Sequence, residues 1–386
     1  MLRSSVDAVS PQVAAPRSVE VVLDATTFVA GGDFTVGAEE ELLLVGADDQ
    51  LLEQFPDALV VEAQAQVGRG GSATTELFAA EIEFATAVCQ DGAEVGACLA
   101  AFRSALGRAG GRAMGVGVHP EGRFGEARLT DAPRYHVIGS SLAGLLRTPT
   151  AALQVHVGMP DPTTAVTAYR GLRHRLALLR ALASGSPYWH GRDSGLASAR
   201  WAVISSYPRG GVPPVVHTWE EYAARSAAVA AAAEAPDYTH VWWDLRLHPR
   251  FGTVEVRVMD AQWSLEVAAG LASLVQGLAR FAVERPLAVD VPSEVLAEND
   301  FRAARDGLDA RIVDIDGTMR PVRQLAARAV DEAQAALADD GKDGPLIAID
   351  ELLGGEPEHT RQRRVHAERG MSGLVADLVD RTLRGQ

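Results

Sequence analysis

Asp244-Leu245-Arg246-Leu247-His248, the turn Pro249-Arg250-Phe251-Gly252 and Thr253-Val254-Glu255-Val256-Arg257 read as two strands joined by a short loop. Apolar residues alternate with charged or polar ones, and that period of two sends neighbouring side chains to opposite faces of a sheet. Asp244, Arg246 and His248 fall on one face of the first strand; Thr253, Glu255 and Arg257 share a face of the second. A strand that turns straight back beside its successor predicts a hairpin rather than a βαβ unit. The same alternation recurs upstream. In Gly37-Ala38-Glu39-Glu40-Glu41-Leu42, Glu39 and Glu41 share a face and Glu40 points the other way, while in Leu153-Gln154-Val155-His156-Val157, Gln154 and His156 share one.

Working outward, strands are expected over 34–45, 112–119, 153–159, 239–248 and 253–259. Helices are expected over 94–110, 163–184, 218–235, 264–284, 321–339 and 361–383. Their irregular alternation gives an α+β class. Residues 1–32 show no clear period before Val19-Glu20-Val21-Val22-Leu23 and read as a loosely attached extension, leaving 33–386 as one catalytic domain.

Composition removes several functions. A formal charge of -15 argues against a general nucleic-acid binder, because phosphate backbones are held by clustered Lys and Arg. Lys342 is the sole lysine and lies in a polar turn, where Gly341-Lys342 is followed by Asp343 and so fails the P-loop pattern. Lysine-dependent kinase, ATP-grasp and Schiff-base sites are disfavoured likewise. Any phosphate must be met by arginine and metal. No run of eighteen apolar residues predicts a membrane span, and Met1 to Ser10 lack the apolar core of a secretory signal. Cys89 and Cys98, nine apart, match no zinc motif and give no disulfide framework, so a reducing cytoplasm fits best. A homo-oligomer is compatible with the chain and is not specified by it.

The polar strand faces admit two readings. Alternation commonly marks the solvated face of a half-exposed sheet. Such faces favour Thr, Lys, Ser and Gln, however, and neighbouring glutamates such as Glu39 and Glu41 repel one another without a counter-ion. A divalent metal with oxygen ligands would supply it and leave room for substrate phosphates. Spacing alone does not separate the two readings. Glu76 and Glu83 add a further pair, seven apart and on one face if that segment is helical.

Gly37-Ala38-Glu39-Glu40-Glu41, Glu76 with Ile82-Glu83-Phe84-Ala85-Thr86, and Gln154-Val155-His156-Val157-Gly158 resemble the opening motifs of the glutamate-cysteine ligase superfamily. Ser186-Pro187-Tyr188-Trp189-His190-Gly191, Gly195 to Arg200, Tyr207 to Pro214, Gly252 to Asp260 and Asn299 to Leu308 resemble its type 2, carboxylate-amine ligase branch in the same order. The resemblance runs from about Phe34 to Ala338. It implies a glutamine-synthetase-like fold, a curved, mainly antiparallel sheet forming a funnel with helices on its outer face. It also implies ATP-dependent phosphorylation of the glutamate side-chain carboxylate, followed by attack of an amine such as that of cysteine on the acyl phosphate. The acceptor stays open between cysteine and another amine or amino acid. On this resemblance Glu39, Glu41, Glu76, Glu83 and Glu255 match holders of Mg2+ (or Mn2+) bridging the ATP phosphates. Arg257 matches the arginine on the transferring phosphate or acceptor carboxylate, and Arg200 and Arg246 resemble further positions of the same funnel. Gln154 stands where several members carry a metal-ligating histidine, and His156 and Asp244 line the same funnel. Trp243 is expected in the core, and His174 on a helix as an exposed or satisfied side chain.

Overall fold

In the computed structural model, which describes residues 28–123, 125 and 127–384, the polar-alternating segments come together in a single seven-stranded sheet. Its strands are β1 (Val36–Leu44), β2 (Gly71–Thr75), β3 (Glu81–Thr86), β4 (Ala113–Met114), β5 (Ala152–Gly158), β6 (Leu245–His248) and β7 (Thr253–Asp260). They run in the order β6-β7-β5-β1-β3-β2 with β4 beside β1, and every pairing is antiparallel.

The inner alternation positions, among them Leu42, Ile82, Phe84, Val155, Val157, Leu247, Val254 and Val256, carry 0% exposure and form one continuous core with the helices behind the sheet. Helices α1 (Gly92–Arg108), α3 (Pro162–Arg173), α4 (Leu176–Ala183), α5 (Leu265–Glu284) and α6 (Val322–Leu337) contribute to that core, while α2 (Pro133–Leu142) and α7 (Glu358–Arg384) pack in separate clusters. Of these, α2 stands apart, closing over the polar side of the sheet by packing Ile138 and Leu142 against Phe78. Helix α5 is long and apolar enough to cross a membrane by composition alone, yet it is a buried central helix. Its neighbours approach too closely for larger side chains: a Cβ on Gly277 would lie 2.6 Å from that of Ala333 on α6, and one on Gly171 of α3 would lie 2.1 Å from Ala282. The free Cys89 is buried and Cys98 half-buried.

Several expectations change. The segment holding Glu76 and Glu83 is a hairpin, β2 turning into β3, and not a helix. Pairing of β3 with β1 on one side and β2 on the other decides it, and the β-branched and aromatic residues Ile82 and Phe84 pack better on a pleated surface than on a helix. Of the strand expected over 112–119, only Ala113–Met114 pairs, since the chain leaves the sheet at Gly115, whose Cβ would lie 2.3 Å from the carbonyl oxygen of Gln262. The helix over 163–184 is two, broken at His174-Arg175 with no glycine or proline to announce it. His174 is half-buried and its Nδ1 has no hydrogen-bond partner. The strand over 239–248 is a 3-10 turn, a two-residue bridge at Trp242–Trp243 and then β6, so Asp244 sits at the break. Trp243 is buried against Tyr222, as expected. Residues 1–27 lie outside the described part. Residues 28–32 are tied down: Phe28 packs edge-on to Trp219, Val29 N–H donates to Pro249 O, and Gly31 N–H to Met159 O.

Candidate active site

Register, more than any single residue, builds the site. Side chains directly opposite one another in an antiparallel pair share a face. Glu41 faces Glu83, Glu39 faces Gln154, His156 faces Glu255, and Glu255 faces Arg246. Five strands thus pool their charges on one side of the sheet. Glu40 projects to the other side, where Arg103 grips it through Nε (3.0 Å) and Nη2. With both side chains 1% exposed, that pair is a structural clamp.

Two clusters emerge on the polar face. Glu39, His156 and Glu255 each bring a potential ligand atom within 4.8 Å of the others, and so do Glu41, Glu76 and Glu83. In the first, His156 Nε2 lies 3.3 Å from Glu39 and 3.9 Å from Glu255 without hydrogen-bonding geometry to either, while Nδ1 is 3.0 Å from Thr253 Oγ1. Burial disfavours an imidazolium there, but the Glu255 and Glu39 charges outweigh it and raise the His156 pKa above its usual value. Burial would likewise raise Glu255, yet Arg246 and Arg257 hold it well below the carboxylate range. Arg246 grips Glu255 with Nε at 2.7 Å and Nη2 at 2.9 Å, and Arg257 Nη1 pairs with the same carboxylate. Glu39 is also lowered, His156 overcoming the effect of burial.

The second cluster has the opposite character. Burial and the neighbouring Glu76 push Glu41 up to about 7, and burial with Glu39 pushes Glu83 well above the usual range. Glu76 is raised by burial too. Three carboxylates that resist ionising together need protons or a cation. An oxygen-rich set with one imidazole suits Mg2+ or Mn2+, and the buried, unpartnered Gln154 Oε1 and His156 Nε2 are further evidence of fit. Gln154 Nε2 donates to Glu41 Oε1, so the amide steadies that carboxylate while its own Oε1 has no hydrogen-bond partner. The histidine of the first cluster is His156, two residues further along β5 than Gln154.

A bulge in β7 between Val256 and Met259 places Arg257 outside the regular ladder. Bulges re-aim side chains beside active sites. The carbonyls it frees are satisfied by arginines: Arg200 donates to Val258 O and Arg257 O, both at 3.3 Å, and Arg180 to Val258 O at 3.2 Å. Arg180 also pairs with Asp300 at 2.5 Å and with Asp244 at 3.4 Å. Burial still raises Asp244 to about 6, since Arg180 offsets only part of it.

Arg200, Asp244, Arg246, Arg257, Gln154 and the carboxylates Glu39, Glu41, Glu76 and Glu83 line a cavity of about 380 Å³. His156 lines a second cavity, about 460 Å³, where Glu39 appears again beside Gly31, Gly37, Gly158, Arg250 and Phe251. Glu255, 0% exposed, lines neither cavity but meets Arg246 of the first and His156 of the second. Sequence reasoning missed Glu81, whose carboxylate accepts from Phe78 N (3.1 Å) and Thr150 N (2.8 Å) and so fixes the turn that carries Glu76. It also missed Arg134 and Tyr135 on α2, and Tyr207 and Trp242, all in the first cavity wall. The alternation of Glu81 with Ile82 could have shown the first. The others sit on elements whose approach to the sheet is purely tertiary.

Comparisons with known proteins identify the family and the fold. The profile of glutamate-cysteine ligase family 2 matches residues 35–353. A Rubrobacter xylanophilus protein provisionally named glutamate–cysteine ligase 2-1 is 32% identical over 361 residues, spanning 90% of this chain and 95% of its own length. A Haloferax volcanii protein named glutamate–cysteine ligase is 33% identical over 356 residues, spanning 89% and 96%. The solved structure of a Francisella tularensis glutamate–cysteine ligase in complex with AMP superposes with a TM-score of 0.70 at 11% identity, covering 92% of this chain and 90% of that one, a likeness of fold.

Proposed function

The chain belongs to glutamate-cysteine ligase family 2, an ATP-dependent ligase family, and from that premise we propose that it joins the side-chain carboxylate of glutamate to an amine through an acyl phosphate. The observation that carries this reading is the pooling of two carboxylate clusters on one sheet face, with Arg257 between them. Glu39, His156 and Glu255 would hold one divalent ion, and Glu41, Glu76 and Glu83 a second. Such ions, when bound, neutralise the triphosphate and draw charge from the transferring phosphoryl group.

The protein's own groups do the remaining work. Arg257, kept charged by Glu255, Glu39 and Glu41 despite its burial, presents a fixed guanidinium to the phosphoryl oxygens. Arg246 holds Glu255 ionised and in place. Arg200 supports the Arg257 backbone and faces the cavity, and Gln154 orients Glu41. The glycine-lined second cavity, beside Glu39 and His156, suits the nucleoside, and the first cavity suits the amino-acid substrates. Asp244, raised to about 6 and so mostly ionised at neutral pH, stands in the first cavity wall where an acceptor ammonium must lose a proton. ATP use and the absence of a disulfide framework fit a cytoplasmic enzyme.

Hydroxylamine tests the chemistry without any assumption about the acceptor, because it traps an acyl phosphate as a hydroxamate. Glutamyl hydroxamate should form with ATP, glutamate and Mg2+ and stop in excess chelator. Hydroxamate formation that persists in chelator would remove the ions from the mechanism, and none under any condition would sink the ligase reading.

A further inference from the structure

The first cavity is chemically two-sided. Its floor is the carboxylate face, whereas Leu77, Ile204, Tyr207 and Trp242, all half-buried, contribute an apolar and aromatic wall from outside the sheet. That wall is built rather than incidental. Arg209 holds φ at 70° and Gly211 at 80°, and the loop bearing them is bonded to the Trp242 segment, Trp242 N–H to Arg209 O and Asp244 N–H to Gly211 O, both 2.9 Å. The Arg209 guanidinium lies 4.8 Å from the Trp242 ring centroid and donates to His240 O at 3.1 Å. A non-glycine residue in the left-handed region is retained where its surroundings over-determine it, a pattern concentrated at ligand sites. Among the described residues lining this cavity there is no cysteine, histidine or methionine to favour a thiol.

The geometry points to an acceptor amine that carries an apolar group of leucine to phenylalanine size, packed on Ile204, Tyr207 and Trp242 with its nitrogen toward the carboxylate face. Cysteine is too small and polar to cover that wall. This assignment deepens the ligase reading above and rests on it. In the step itself the amine nitrogen bonds the acyl carbon while the carbon–oxygen bond to phosphate breaks and its electron pair leaves with phosphate. Of the two protons the ammonium loses, one departs with the phosphate and one enters solvent.

The test is a competition among equimolar cysteine, glycine, leucine, phenylalanine and hydroxylamine with glutamate, ATP and Mg2+, products being counted by mass. The leucine or phenylalanine amide should exceed the cysteine amide by roughly ten- to two-hundredfold, the range that one apolar contact surface supplies. Trp242→Ala, and separately Ile204→Gln in case the tryptophan is needed for folding, should lower the ratio of apolar amide to hydroxamate about tenfold or more. Hydroxamate accompanied by a dominant cysteine or glycine product overturns this inference and leaves the ligase reading standing. A ratio unmoved in a folded variant removes the wall from acceptor choice. Absence of hydroxamate and amide alike defeats the ligase reading, and this one with it.

Discussion

Glutamine at position 41 should make the ion-free protein more stable and the loaded enzyme worse. Glu41 is 8% exposed and its pKa is raised from 4.5 to about 7, chiefly by burial and then by Glu76. The folded state therefore keeps a proton that the unfolded chain releases, so stability is fully present below 4.5 and is lost as pH rises through about 7. Two and a half units correspond to about 3 kcal/mol at alkaline pH. Glutamine abolishes that penalty but has one acceptor where Glu41 uses two, for Ala152 N and Gln154 Nε2, a loss of about 1 kcal/mol. The net gain near pH 8 is about 2 kcal/mol. With an unfolding entropy of roughly 2 cal/mol/K per residue over the 386-residue chain, Tm should rise by about 2–3 °C. Thermal melts in chelator near pH 5 and near pH 8 read this directly: the gain should appear only at the higher pH, and added Mg2+ should raise Tm less in Glu41→Gln than in the wild type. A variant that melts below the wild type near pH 8, or a wild-type Tm that does not fall between the two pH values in chelator, would refute the electrostatic account of this cluster.

Two further substitutions separate chemistry from architecture. Arg257→Lys keeps the charge and loses the fork, and it should lower kcat by roughly two to four orders of magnitude with little change in nucleotide affinity; undiminished single-turnover rates in a folded variant would remove Arg257 from the mechanism. Glu40→Ala strands the buried Arg103 guanidinium and should cost about 3–5 kcal/mol of stability, while Mg2+ affinity of the folded protein is retained; weakened ion binding with an unchanged Tm would mean that Glu40 belongs to the site after all.

Much of the site was legible because strand alternation is local. The period of two in 37–42, 153–157, 244–248 and 253–257 groups Glu39 with Glu41 and against Glu40, Gln154 with His156, Arg246 with Asp244 and His248, and Glu255 with Arg257, each within its own strand, and no long-range contact is needed to say so. The motifs carried the family by the same route. Which carboxylates meet was not local. Glu76 and Glu83 fit a helical spacing as well as a hairpin, and the choice is made by pairing with β1 across Glu41–Glu83. The division into one charge-saturated and one proton-holding cluster depends on where burial and the arginines fall. The bulge that re-aims Arg257 exists because Arg180 and Arg200, far away in the chain, satisfy its carbonyls. Periodicity along the chain sets the face a side chain takes, whereas cavities, pKa values and cross-chain ion pairs arise from distances that only packing decides.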